Sequence, residues 1–295
     1  MSISATIPSA VRPGDPVRII APSGAFDRTV FGRGLAHVAQ RYSIRMQEGV
    51  YSRHSFFAGD DERRLAELNE ALRDPEAKAI LVARGGHGLL RISHEADFAP
   101  LKSHPKWLVG FSDATLLHIE CARLGVASIH AANITGLGIP DDTAWQHYHS
   151  HLESPTLRRE YPTTSWHPGT ARGPLFGGNL AVLHASLASG RLSLPRGCIL
   201  LLEDIGESPY RIDRLLTAML IARVFDNVAA VVVGQLHNCP PGDHGVTAEA
   251  VLQERLVQLQ IPVVHTTVIG HGQPNLPITL GLTAQITDSG ALHVG

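Results

Sequence analysis

Short, uninterrupted apolar runs alternate along this chain with segments of helical period. Val17-Arg18-Ile19-Ile20-Ala21 is β-rich and stops at Pro22-Ser23-Gly24, and a helical pattern follows around Leu35, Val38 and Ala39. Residues 60–73 carry Leu65, Leu68 and Leu72 on one face with acids in the first turn, which predicts an amphipathic helix. Ala79-Ile80-Leu81-Val82-Ala83 ends at Arg84-Gly85-Gly86. The run from Trp107 ends at Gly110, and a helix opening at Ser112-Asp113 is closed by Gly125. Strands that are apolar throughout, separated by helices, predict a parallel sheet covered on both faces.

Residues 141–174 break this rhythm. They are rich in His, Pro, Thr and Trp without a sustained period, and read as a connection between domains. Beyond them come a helix over 179–188, a buried strand Ile199-Leu200-Leu201-Leu202 ending at Glu203, and a helix over 212–222. A strand over 228–233, a helix over 247–259, a short strand at Val263-Val264 and a hairpin around Asp288-Ser289-Gly290 follow. The expected organisation is an N-terminal α/β domain over 1–150, a linker over 151–172 and a smaller mixed α/β domain over 173–295.

The chain has 295 residues, enough for two domains, and a net charge of −2 with no basic block, so a nucleic-acid partner is not expected. The first 16 residues lack the charged and apolar regions of a signal peptide. No apolar stretch reaches the ~20 residues that span a bilayer, so no membrane partner is expected. Cys121, Cys198 and Cys239 are odd in number and widely spaced, which fits reduced thiols and a cytoplasmic location.

Three strand ends in the first half carry turns suited to chemistry: Pro22-Ser23-Gly24, Arg84-Gly85-Gly86-His87-Gly88 and Gly110-Phe111-Ser112-Asp113. In an open parallel sheet the carboxyl ends of strands line one crevice. A serine on a sharp strand-to-helix turn, beside helical amides that attract developing negative charge, is placed as a nucleophile; the same serine also suits a helix N-cap. The Gly85-Gly86 turn could present backbone amides to an oxyanion together with the amide of Asp113, or could be only a tight turn needing positive φ. In the second half, His271 sits between Gly270 and Gly272 as a candidate base. Glu203, Asp204 and Glu207 place carboxylates at a strand terminus, where one could orient the imidazole.

Other signals carry less. His147 and His151 have i, i+4 spacing but no accompanying carboxylate motif, and Asp243-His244 lies in a Gly/Pro-rich loop, so no metal is expected. Gly32-Arg33-Gly34 has no strand directly before it, which argues against a dinucleotide cofactor. Gly110-Phe111-Ser112-Asp113-Ala114 lacks the second glycine of the α/β-hydrolase elbow.

Five sets of residues, in order along nearly the whole chain, resemble the LD-carboxypeptidase family of serine peptidases. They are Ile20-Ala21-Pro22-Ser23-Gly24, then Ala58-Gly59-Asp60 with Arg63 and Leu65, then Arg84-Gly85-Gly86-His87-Gly88. Gly110-Phe111-Ser112-Asp113 with Gly177-Gly178-Asn179-Leu180 comes next, and Leu202-Glu203-Asp204 with Gly270-His271-Gly272 completes them. The resemblance implies Ser112 as nucleophile, His271 as general base and acid, and Glu203 as its orienting partner. It also implies an oxyanion hole from the backbone of Gly85 or Gly86 and of Asp113. It implies a flavodoxin-like N-terminal domain, a smaller C-terminal domain, a cytoplasmic homodimer, no cofactor, and a small peptide substrate. Such enzymes remove a terminal D-amino acid from an L,D-linked murein tetrapeptide during wall recycling. A related branch, the microcin C immunity peptidases, cleaves peptidyl- or aminoacyl-nucleotide amides, and a non-catalytic two-domain peptide binder is the alternative of a different class. Ser23 and Asn179 are candidates to meet the substrate's free carboxylate. Many members carry Tyr where this chain has His87, which bears on specificity.

Overall fold

The computed structural model describes residues 5–139, 144–242 and 244–295, so Asp243 and the first residues of the expected connection lie outside them. The chain divides into two units, one of residues 5–155 with 276–279 and one of residues 156–275 with 280–295.

In the first unit the apolar runs become β1 (Pro16–Ile20), β2 (Ser43–Met46), β3 (Ala79–Val82), β4 (Trp107–Gly110) and β5 (Ser128–His130). They lie in the order β2-β1-β3-β4-β5, and every one of these pairings is parallel. This is the flavodoxin-like order, with its switch point between β1 and β3. Every residue of β3 and β4 is buried, because helices cover both faces and no polar alternation is needed. Ile19, Leu81, Trp107, Val109 and Ile129 share one core.

The helix Ala144–Glu153 adds Tyr148 and Leu152 to that same core. Its i, i+4 apolar pair lies in the stretch whose His-rich composition reads as a connection. The rest of that stretch is not structureless either. It forms β6 (Arg159–Tyr161) and β7 (Thr164–His167), short strands at the two edges of the second sheet.

β8 (Ala171–Asn179), β9 (Cys198–Ile205), β10 (Val228–His237) and β11 (Val263–His265) form the parallel centre of the second sheet. The chain then contributes β12 (Ile278–Leu280) beside β5 at the edge of the first sheet. β13 (Thr283–Ile286) and β14 (Leu292–Val294) return to the second sheet as the antiparallel hairpin that the Asp288-Ser289-Gly290 turn predicts. The complete second order is β6-β14-β13-β8-β9-β10-β11-β7. Both units are therefore α/β, the first with a parallel five-strand body and the second mixed. Among the described residues no helix is long and apolar enough to cross a membrane.

Candidate active site

In the first unit the three polar turns do meet. Gly24 N donates to Gly85 O at 3.0 Å, which joins the turn after β1 to the turn after β3. The Ala58-Gly59-Asp60 segment supports the first of these turns. Asp60 caps the helix Asp61–Arg73 by accepting from Arg63 N at 2.8 Å. Arg63 and Glu67, one helical turn apart, then grip the end of β1. The guanidinium donates to Ala21 O at 3.0 Å and Glu67 accepts from Ala21 N at 2.7 Å.

Ser112 follows β4 with φ of +64°, a left-handed conformation that costs an L-residue about 1–2 kcal/mol. A short 3-10 turn over Ser112–Ala114 then leads into the helix Thr115–Leu124. The surroundings force this turn. A Cβ at Gly110 would lie 2.9 Å from both Ala114 Cβ and Asn133 Oδ1, so only glycine fits. Asn133 Oδ1 accepts from Phe111 N at 3.2 Å. Gly110 O accepts from Ala131 N at 3.1 Å and from His118 Nε2 at 2.9 Å. A carbonyl can only accept, so His118 carries its proton on Nε2, and Nδ1 accepts from the Ser128 hydroxyl at 2.9 Å. Burial, helped by His130, pushes the His118 pKa down to about 3, so the ring stays neutral.

Gly85 lies against the serine: a Cβ there would stand 2.8 Å from Ser112 Cβ and 2.9 Å from Ser112 Oγ. Gly86 has φ of +99°. The Asp113 side chain is buried and accepts from Leu89 N at 2.9 Å, which ties the serine turn to the end of the glycine turn. Burial pushes its pKa up, against the opposing pull of the Leu89 amide, the Ser23 hydroxyl and the charges of His87 and Arg64. Ser23 is 0% exposed. His87 is exposed, its ring 5.9 Å from that of Phe57.

In the second unit, Glu203 stands on β9 and is fully buried. Its Oε2 accepts from His271 Nδ1 at 2.6 Å. This bond assigns the proton to Nδ1 and leaves Nε2 as the basic nitrogen of the neutral ring. The loop that carries His271 is shaped by Gln235 of β10, a residue with no local signal in the sequence. Gln235 Nε2 donates to Thr267 O at 2.6 Å and to Pro274 O at 3.0 Å, while Oε1 accepts from Gly272 N at 2.6 Å. Gly270 has φ of +139°, and a Cβ there would lie 3.0 Å from Gln235 Cβ.

Asn179, expected as a substrate contact, is buried. Its Oδ1 caps the helix Leu180–Ala188 by accepting from Val182 N at 3.1 Å, and its Nδ2 donates to Asp204 Oδ1 at 2.9 Å. Asp204 also accepts from Ile205 N and Ala181 N. Burial, reinforced by the charge of Glu203, pushes the Asp204 pKa up to about 6 against those bonds. Asp204 therefore organises the strand end, and Glu203 is the carboxylate that holds the imidazole. His151 Nδ1, in the other histidine pair, donates to His147 O at 2.8 Å.

The first unit thus presents a strained serine against a glycine turn, and the second an imidazole oriented by a buried carboxylate. Residues 17–131 match the LD-carboxypeptidase N-terminal domain and residues 172–286 the LD-carboxypeptidase C-terminal domain. The chain is 31% identical over 287 residues to a probable murein peptide carboxypeptidase of Bacillus subtilis, covering 94% of this chain and 90% of that protein. It is 30% identical over 281 residues to the murein tetrapeptide carboxypeptidase of Pseudomonas aeruginosa, covering 91% and 92%. The crystal structure of a muramoyltetrapeptide carboxypeptidase from Oxalobacter formigenes superposes with a TM-score of 0.84 at 27% identity, covering 95% of this chain and 98% of that one. With both domains matched in order and relatives aligned over nearly its whole length, the chain belongs to the LD-carboxypeptidase family of peptidases.

Proposed function

We propose that the protein is a serine-type carboxypeptidase that releases a terminal D-amino acid from an L,D-linked murein tetrapeptide. The Ser112 hydroxyl attacks the carbonyl of the penultimate residue while His271 Nε2 takes its proton. The imidazolium, held by Glu203, then protonates the departing amine. Water deprotonated by the same imidazole hydrolyses the acyl-serine ester and restores the enzyme. Amides of the Gly85-Gly86 turn and of Asp113 stabilise the tetrahedral oxyanions, a role in which one donor is typically worth ~3 kcal/mol.

The observation that carries this reading is the 2.6 Å bond from His271 Nδ1 to the fully buried Glu203. Burying a carboxylate is costly unless it is paired and hydrogen-bonded, and this bond helps offset that cost while it orients the ring so that Nε2 can act as a base. The murein substrate is supported by the names of the Bacillus and Pseudomonas relatives. Murein fragments recovered by the cell would be met in the cytoplasm, where the free thiols of Cys121 and Cys198 suit a reducing compartment. A homodimer is the assembly expected from the family, and sedimentation of the purified protein tests it.

The deciding experiment incubates the protein with an L,D-linked tetrapeptide and assays free D-alanine. Release by the wild type, and its loss in Ser112→Ala and His271→Ala, is the expected result. Equal release by Ser112→Ala removes the serine mechanism.

A further inference from the structure

The first unit holds a cavity of about 780 Å³ that the proposed chemistry does not use. It opens where the turns after β1 and β3 diverge, the switch point at which open α/β sheets bind ligands. Arg28, Arg53 and Arg84 reach into it over Phe26, Tyr51 and Thr135. Each guanidinium is steadied by a backbone carbonyl. Arg28 Nη2 donates to Tyr51 O at 3.3 Å, Arg84 Nη1 to Ala25 O, and Arg53 Nε faces Ser55 O at 3.5 Å. Among the described residues none of the three meets a carboxylate in an ion pair.

Among the described residues Asp27 is the one acid of the lining, and its Oδ1 is committed to the helix start, accepting from Thr29 N at 2.8 Å and Val30 N at 2.9 Å. The helix amides are satisfied by that cap, so the attraction for anions rests on the guanidiniums. Each has five N–H donors and spends one, leaving a fork that suits carboxylate or phosphate oxygens. Three like charges around one recess repel, and a bound anion relieves that repulsion.

Two residues of the cavity wall adjoin residues that touch the serine turn. Arg84 precedes Gly85, whose backbone lies against Ser112, and Thr135 follows closely on Asn133, which holds Phe111 N. We propose that this cavity is an anion subsite, taking a carboxylate or phosphate of the substrate at a distance from the scissile bond. Its part in turnover rests on the peptidase reading, whereas anion binding itself does not.

The test compares wild type with Arg28→Gln/Arg53→Gln, which spares Arg84 beside the glycine turn. The substrates are two L,D-tetrapeptides, identical except that the third residue's side-chain carboxylate is free or amidated. Adenosine monophosphate is titrated into the intact proteins by calorimetry as the phosphate probe. If the anion is a peptide carboxylate, the double variant raises KM for the free-carboxylate peptide by a factor at least tenfold larger than any change for the amidated one. If it is a phosphate, the nucleotide binds the double variant at least tenfold more weakly. A double variant with the wild-type melting temperature that alters neither overturns the proposal. Failure of both peptides to be cleaved refutes the peptidase reading instead, and the calorimetric arm then decides the subsite alone.

Discussion

Gly85 and Ser112 are in contact so close that no side chain fits between them: a Cβ at 85 would lie 2.8 Å from Ser112 Cβ. The glycine is needed for space, since Gly85, unlike Gly86, is absent from the positive-φ residues. Gly85→Ala must therefore push the serine or the turn aside. A misplacement on this scale lowers turnover by about 100-fold or more. Gly86→Ala meets its first neighbour only at 3.6 Å, so it strains the backbone at φ of +99° and costs about 1–2 kcal/mol of stability instead. Steady-state kinetics and melting temperatures of the two variants separate these outcomes. Similar effects of both on kcat would show that the contact is not what matters.

The Glu203–His271 bond predicts a second asymmetry. Glu203→Gln keeps the shape and removes a buried charge, so the fold should persist. An amide placed against Nδ1 offers a donor where the ring needs an acceptor, which favours the wrong tautomer. A loss of kcat of about 10³–10⁴-fold is expected, the scale known for carboxylate-to-amide changes in triads. A Glu203→Gln enzyme within tenfold of wild type, measured by amino-acid release, would remove Glu203 from the mechanism.

His118 touches no reacting atom in the proposed scheme, yet it holds Gly110 O two residues before Ser112. His118→Phe leaves the buried Ser128 hydroxyl without its acceptor and takes one donor from Gly110 O. Orphaning such groups costs about 1–3 kcal/mol. The positioning role predicts a lower kcat with KM little changed, and partial rescue by His118→Gln, whose amide can donate to the same carbonyl. If His118→Phe lowers the melting temperature while kcat is unaltered, the residue is structural only.

The serine turn, the glycine turn and the Glu203–His271 pair are legible in the sequence because each lies where an apolar run stops at glycine or a charge. Periodicity and turn chemistry are local and find these strand ends, while the choice of Glu203 over Asp204 and Glu207 comes from the family resemblance. Gln235 and His118 are invisible to that reasoning, since their hydrogen bonds reach residues 32 and 39 positions away in one case, and the carbonyl of β4 and a hydroxyl of β5 in the other. Asn179 shows an ambiguity of a different kind. An asparagine at a strand end before a helix suits a ligand and an N-cap equally, and in the structure its Oδ1 forms the cap. Within residues 141–174 composition also hides the Tyr148–Leu152 pair that anchors the helix Ala144–Glu153.

Two buried groups give the units opposite responses to acid. His118 is held neutral with a pKa of about 3 against an ordinary 6.5. Unfolded chain therefore binds its proton first, so stability present above pH 6.5 is lost as the pH falls toward 3. The gap of about 3.5 units corresponds to about 5 kcal/mol. Asp204 runs the other way, with a pKa of about 6 against 3.8. The folded state binds its proton more tightly, so between pH 6 and 4 acidification returns about 3 kcal/mol. Differences from matched variants isolate each group from the rest of the protein. In urea unfolding, the stability of wild type relative to His118→Gln should fall as the pH drops from 6.5 to 4. Relative to Asp204→Asn it should rise over pH 6 to 4. Parallel curves for either pair would mean that the group keeps its ordinary acidity despite its burial.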